Sequence, residues 1–139
     1  MIPTIAEAAR KIAAKEISPV EFMKDRLAKA EALTRFPPEI ALHPARAAAA
    51  RQMAGALRGP LDGIPIAHKD IYETAGVPTT AHSRVLENHV PATDSAAVRA
   101  WADAGAVMLG KLATHEFAWG GPSFDLPWPP ARNPWDTAR

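Results

Sequence analysis

The chain has 139 residues, the length of about one domain, with 47% apolar and 22% charged side chains. This composition is that of a globular protein and excludes compositional disorder. Sixteen basic and fifteen acidic residues, without a basic cluster, argue against a nucleic acid or a membrane surface as partner. The absence of cysteine excludes disulfides and thiolate metal sites and agrees with a reducing compartment, so we predict a cytoplasmic location.

The N-terminal region predicts two short amphipathic helices joined by a tight turn. Thr4 and Glu7 have the spacing of a capping box, in which each side chain accepts a hydrogen bond from the other residue's backbone N–H. Ser18 followed by Pro19 predicts the start of a second helix. Proline is favourable at the first helical position, because the N–H that it lacks would have no partner there. The segment lacks the pattern of a secretory signal, and no window reaches the roughly 20 apolar residues of a membrane span.

A third helix is predicted in an alanine-rich stretch from about Ala45 to Leu57. The prolines of residues 34–44 are expected to keep that segment from being helical throughout, because proline removes a hydrogen bond and clashes with the preceding turn. Gly59 and Pro60 are expected to end the helix. One side of it is expected to carry Ala49, Met53 and Leu57.

A strand, a crossover helix and a second strand are predicted next, which is the pattern of a parallel pair. The apolar runs Ile64–His68 and Ala106–Leu109 are the expected strands. Thr93 or Asp94 is the expected cap of the helix between them. Ile71–Glu73 is predicted as a further short strand. The predicted class is therefore α/β.

Lys69 follows the first predicted strand and is the leading candidate for chemistry. Lysine is rarely buried, because its charge is costly to desolvate and burial lowers its pKa. A lysine that a buried strand delivers to the edge of a sheet is therefore a candidate base. The alternative is a surface lysine paired with the neighbouring Asp70, and the residues alone favour this second interpretation.

Several motifs in the second half of the chain occur in an order and at a spacing that chance explains poorly. They are GPLDGIPIAHKDIYETAGVPTTAHS at Gly59–Ser83, Asp94-Ser95, AGAVMLGK at Ala104–Lys111, EFAWG at Glu116–Gly120 and Asn133-Pro134-Trp135-Asp136. Together they resemble the amidase signature family. The resemblance implies an incomplete amidase-signature fold in a single partial domain. Its expected parts are helices in residues 1–58, the start of a mixed, mostly parallel sheet with a crossover helix in 59–118, and a Pro/Trp-rich segment in 119–139.

The resemblance also implies the chemistry of Lys69. In this family the matching lysine belongs to a Ser–cis-Ser–Lys triad, which hydrolyses small-molecule carboxamides without a metal or cofactor. Both family serines lie in a Gly/Ser-rich segment downstream of the motif at Asn133–Asp136, beyond this chain. Gly120 and Gly121 are expected at the substrate pocket, where glycine lets the backbone approach a ligand. The isolated chain is therefore expected to be inactive.

The remaining polar residues favour no other site. The serines lack a Gly-Gly-Ser-Ser context, and the histidines lack the spacing of metal ligands, so no metal site is predicted. The alternative function is a non-enzymatic remnant or interaction module that associates through an open sheet edge. The residues considered are Ser18, Ser83, Ser95, Ser123, His43, His68, His82, His89 and His115.

Overall fold

The computed structural model describes residues 3–30 and 38–121, together with Trp128 and Asp136. Within them, three helices precede two parallel strands that are joined through a fourth helix, which confirms the predicted α/β class. None of the described helices is long and apolar enough to cross a membrane. The elements are α1 (Ile5–Ala13), α2 (Pro19–Lys29), α3 (Pro38–Ala54), β1 (Pro65–Lys69), α4 (Ala96–Asp103) and β2 (Val107–Leu112).

The first two helices begin where the sequence predicts. The Thr4 hydroxyl accepts the Glu7 N–H at 3.2 Å, and the Glu7 carboxylate accepts the Thr4 N–H at 2.7 Å. The Ser18 hydroxyl accepts the Val20 N–H at 3.2 Å and so caps α2. Each helix buries one side against the rest of the chain, through Ala8, Ile12, Pro19 and Met23.

The prediction for α3 was wrong in its bounds and in its buried face. The helix runs from Pro38 to Ala54 and includes Pro44, although an internal proline costs about 3 kcal/mol. Burial offsets this cost, because the same helix packs fully buried side chains against β2 and α2. Met53, expected on the apolar side, is 69% exposed. The buried face is instead Ala41, Ala45, Ala48 and Gln52.

The two strands form a parallel pair, as predicted, but β2 extends further than expected. The register runs from Pro65 opposite Val107 to Lys69 opposite Leu112. The predicted strand ended at Leu109, whereas β2 runs on to Leu112. Lys111 does continue it, and is 3% exposed, because polar groups surround its amine.

Ile71–Glu73, predicted as a further strand, is a turn. The Asp70 N–H donates to the Leu112 carbonyl at 2.9 Å, beyond the last paired residues of β1. The Tyr72 N–H then donates back to the Lys69 carbonyl at 3.1 Å, which turns the chain away from β2. The backbone after Lys69 is thus a compact loop rather than a strand.

The entry of β1 is closed by a buried ion pair that the sequence did not reveal. Arg51 donates to both carboxylate oxygens of Asp62, at 2.8 and 2.6 Å, and the Arg58 N–H donates to one of them at 2.9 Å. Burial raises the pKa of Asp62, but the hydrogen bonds from Arg51 and Arg58 outweigh it and hold the pKa below its usual value. Gly105, at φ +86°, passes so close that an added Cβ would lie 2.5 Å from an Asp62 oxygen.

The crossover helix α4 begins one or two residues later than predicted. Its N-cap is Ser95, and its side chain makes no capping hydrogen bond. Asp94, one of the expected caps, instead accepts the Ala75 N–H at 2.7 Å and so fastens the loop after β1. Gly105, at φ +86°, follows the C-cap residue Ala104 and ends the helix.

Candidate active site

Lys69 is the last residue of β1 and is exposed, at the edge where both strands end. Within residues 3–30 and 38–121, no hydrogen bond or ion pair joins its amine to another side chain. Its backbone is held firmly, because the turn after it closes on its own carbonyl. The strand therefore presents a free amine from a fixed point of the backbone.

His68 points to the opposite face of the strand, as predicted from the alternation of side chains. It is 3% exposed, and its ring centre lies 4.9 Å from that of Trp101 on α4. Neither ring nitrogen has a hydrogen-bond partner among the described groups. Burial, and then the nearby charge of Lys111, lowers the pKa of His68. The ring is therefore neutral at pH 7 and belongs to the packing, with Lys69 on the other side.

Asp70, the neighbour of Lys69, is buried and faces away from solvent. One carboxylate oxygen accepts the Thr80 N–H at 3.1 Å and the Thr80 hydroxyl at 2.6 Å. The other lies 3.4 Å from the amine of Lys111, close enough for charge attraction but without hydrogen-bond geometry. Since the ionic partner of Asp70 is Lys111, a surface pair between Lys69 and Asp70 is not formed.

Lys111 is the buried lysine of this region, and the sequence analysis did not identify it as a site residue. Its amine donates to the Tyr72 carbonyl at 2.5 Å and to the Thr79 hydroxyl at 3.0 Å, with the Thr74 hydroxyl at 3.4 Å. Burial lowers the pKa of Lys111, while the Asp70 carboxylate opposes the shift. The signal in the sequence was a lysine close after an apolar run, separated from it only by Gly110, which is similar to the pattern that singled out Lys69.

A small cavity of about 180 Å³ opens beside this pair. Its lining includes Asp70, Lys111, His82 and Trp128. The backbone of the loop that forms it takes the left-handed conformation at Ala81 and His82, a conformation that is rare away from glycine. The lining is mixed in charge and polarity, so the cavity suits a small polar molecule.

Gly120 and Gly121, predicted at the substrate pocket, are both exposed. Gly120 has φ +86°, which a residue with a side chain adopts only under strain. Among residues 3–30 and 38–121, no atom lies within 4 Å of a Cβ added at either position. Their place in a pocket stays a prediction.

The serines of the described segments serve as helix caps. Ser18 caps α2 with its hydroxyl. Ser83 is fully buried, and its hydroxyl accepts the Val85 N–H at 3.2 Å, so it is not available as a nucleophile. Ser95 stands at the N-cap of α4. Ser123 lies outside the described residues. The described part of the chain thus presents the exposed amine of Lys69 with no activated serine beside it.

The sequence as a whole matches a known family and a curated relative. The Amidase family matches residues 20–139. A glutamyl-tRNA(Gln) amidotransferase subunit from Anaeromyxobacter sp. (strain K) is 42% identical over 142 residues, which cover 97% of this chain and 29% of the relative. The chain therefore spans less than a third of the length of that relative.

Two solved structures share the fold. One is described as "an unexpected vestigial protein complex" that "reveals the evolutionary origins of an s-triazine catabolic enzyme"; its TM-score is 0.90 at 32% identity, over 99% of this chain and 32% of that one. The native peptide amidase from Stenotrophomonas maltophilia has a TM-score of 0.72 at 32% identity, over 81% of this chain and 25% of its own. These likenesses confirm the predicted fold.

Proposed function

Because the chain belongs to the Amidase family, the amidase signature family of its motifs, we propose that Lys69 is the base of a centre that hydrolyses carboxamides. The observation that carries this proposal is the setting of Lys69, whose exposed amine stands at the strand edge without an acidic partner among the described residues. A general base must be unprotonated when it acts, and a carboxylate beside an amine opposes that. The pairing of Asp70 with Lys111 removes such a carboxylate.

The proposed chemistry is nucleophilic acyl transfer to a serine. Lys69 accepts the proton of the cis-serine, which in turn takes the proton of the nucleophilic serine. The serine oxygen bonds to the amide carbon, the C–N bond breaks, and the proton passes to the departing ammonia or amine. Water then cleaves the acyl-serine to the carboxylic acid. The two serines come from the part of the relatives that lies beyond the match.

Within this proposal, the chain is a single partial amidase domain. Residues 1–58 are its helical N-terminal region, 59–118 begin the α/β core, and 119–139 are its Pro/Trp-rich segment. Gly120 and Gly121 form part of the pocket wall. The substrate class is a small-molecule carboxamide, and neither a nucleic acid nor a membrane is a partner. The isolated chain, without the serines, does not turn over amides.

A chimera tests the proposal, with this chain in place of the matching 29% of the Anaeromyxobacter relative. Ammonia release from a panel of primary amides is the measurement. We expect none from the chain alone, release from the chimera, and a rate lower by about 10²–10⁴-fold with Lys69→Ala, the usual contribution of general acid–base catalysis.

The matched control is Lys24→Ala, since Lys24 is an exposed lysine of α2. It should leave the rate of the chimera unchanged. A folded chimera whose rate is equally insensitive to Lys69→Ala would refute the role of Lys69.

A second candidate function is that of a module that associates through the edge of its sheet. It is favoured by exposed apolar side chains at the end of β2 and shortly after it. The exposed fraction is 39% for Leu112, 53% for Phe117 and 86% for Trp119. Exposure of several large apolar side chains close together in sequence is typical of an interaction surface. Light scattering on the isolated chain tests this candidate. Association that Trp119→Ser abolishes supports it, and a monomer at all concentrations rejects it.

A further inference from the structure

We propose that Lys111 is a positioning residue that holds the Asp70 carboxylate away from Lys69, so that the amine of Lys69 stays free of its own neighbour in sequence. The inference deepens the proposed function, because it supplies the means by which Lys69 remains available as a base. Its test measures the amine directly and requires no amidase activity.

Two lysines, Lys69 and Lys111, compete for the carboxylate of Asp70. Lys69 is the last residue of β1, Lys111 is the penultimate residue of the neighbouring parallel strand β2, and Asp70 follows Lys69 directly. A chain with a Lys-Asp pair at an exposed strand end ordinarily forms a local ion pair or leaves both side chains in water. Here Asp70 is 6% exposed and Lys111 is 3% exposed, whereas Lys69 is exposed. The carboxylate of Asp70 therefore pairs with the buried Lys111 and not with the exposed Lys69.

The two carboxylate oxygens of Asp70 are held by different groups. Thr80 holds one oxygen through two hydrogen bonds, and the other oxygen lies 3.4 Å from the Lys111 amine. The backbone carbonyl of Asp70 also accepts the Ala81 N–H at 2.8 Å. Thr80 and Ala81 therefore orient Asp70 from the loop, and Lys111 supplies the positive charge that makes this buried orientation favourable.

The buried amine of Lys111 has polar partners besides Asp70, which lower the free-energy cost of its burial. A buried ammonium requires partners, and Lys111 has the Tyr72 carbonyl and the hydroxyls of Thr74 and Thr79 in addition to Asp70. All three belong to the loop that follows Lys69. The loop is thus built around the Lys111 amine, and the direction in which the chain leaves Lys69 depends on it.

The amine of Lys69 can be followed by its rate of acylation. An amine-directed acylating reagent at fixed pH reacts with the unprotonated form, and peptide mass spectrometry assigns the rate to each lysine of the unmodified chain. Lys29, which pairs with Asp25 at 2.6 Å on the surface of α2, is the internal reference for an ion-paired lysine. Added salt screens such pairs.

We expect salt to raise the acylation rate of Lys29 relative to that of Lys24, and to leave the ratio of Lys69 to Lys24 unchanged. A ratio for Lys69 that rises as that of Lys29 does would show a Lys69–Asp70 pair in solution and would overturn the proposal. This comparison uses the wild-type chain, so it is decisive even if substitutions prevent folding.

Substitutions sharpen the assignment to Lys111. Lys111→Met should slow acylation of Lys69 by roughly two- to fivefold, the range of a surface ion pair, because the freed carboxylate turns to Lys69. Lys111→Arg should retain the wild-type rate, and Asp70→Asn with Lys111→Met should restore it. An unchanged Lys69 rate in a folded Lys111→Met chain contradicts the proposal. If the acylation rates of Lys69 are as predicted but the chimera releases no ammonia, only the catalytic role of Lys69 is refuted.

Discussion

Both ends of β1 are held by a buried aspartate that pairs with a cation, but the two ends are closed to different degrees. At the entry, both oxygens of Asp62 accept hydrogen bonds from Arg51, and a backbone N–H adds a third. At the exit, Thr80 bonds one oxygen of Asp70, and the other faces Lys111 at 3.4 Å without a hydrogen bond.

The difference separates a fully hydrogen-bonded closure from the strand end at which we propose the chemistry. At the entry, the carboxylate of Asp62 is fully satisfied by Arg51 and the Arg58 backbone. At the exit, the pair of Asp70 and Lys111 is buried, whereas the amine of Lys69 is exposed to solvent. A buried aspartate thus stabilises the fold at both ends, and only at the exit does an exposed lysine, Lys69, lie next to it in sequence.

The largest expected effect is at the entry. Asp62→Ala removes the carboxylate that Arg51 binds through two hydrogen bonds, and should lower the free energy of unfolding by about 3 kcal/mol. This is the lower end of the range for a broken buried pair, because the Arg51 side chain is 24% exposed. Urea unfolding followed by circular dichroism measures the change.

Two comparisons accompany this measurement. Asp25→Ala, which breaks the exposed pair with Lys29, should have a much smaller effect. Asp70→Asn at the exit should cost less than Asp62→Ala, because its second oxygen forms no hydrogen bond with the described groups. An exit variant that costs as much as the entry variant would remove the distinction between the two ends.

A smaller effect is expected from pH through His68. Its pKa is lowered in the folded chain by burial and by the charge of Lys111, so the unfolded chain binds the proton more readily. Stability should therefore fall as the pH drops below the ordinary histidine value of about 6.5, with a slope of at most about 1.4 kcal/mol per pH unit.

His68→Leu should remove this dependence, because a neutral apolar side chain replaces the ring that would be charged. Unfolding in urea at pH 5 and pH 7 measures it. His43→Leu, at an exposed histidine of α3, is the matched control and should keep the wild-type dependence. An identical pH dependence in wild type and His68→Leu would show that His68 is solvated in solution.

Local patterns predicted the starts of α1 and α2 and the parallel pair, because caps and apolar runs act within a few residues. The motif Gly59–Ser83 located Lys69 at a strand end. Pro44 was misread because its cost is local, whereas the packing that offsets it comes from β2 and α2, distant in sequence. The same limit applies to the partner of Asp70: proximity in sequence favoured Lys69, but the fold brings Lys111 from the neighbouring strand.

A double-mutant cycle tests most directly which lysine Asp70 belongs to. The free energy of unfolding is measured for Asp70→Asn, Lys111→Met, Lys69→Met and the two doubles that contain Asp70→Asn. We predict a coupling of about 1–3 kcal/mol between Asp70 and Lys111, and none beyond about 0.5 kcal/mol between Asp70 and Lys69. The reverse pattern would contradict the account, because the Lys69 amine would then be tied to its neighbour.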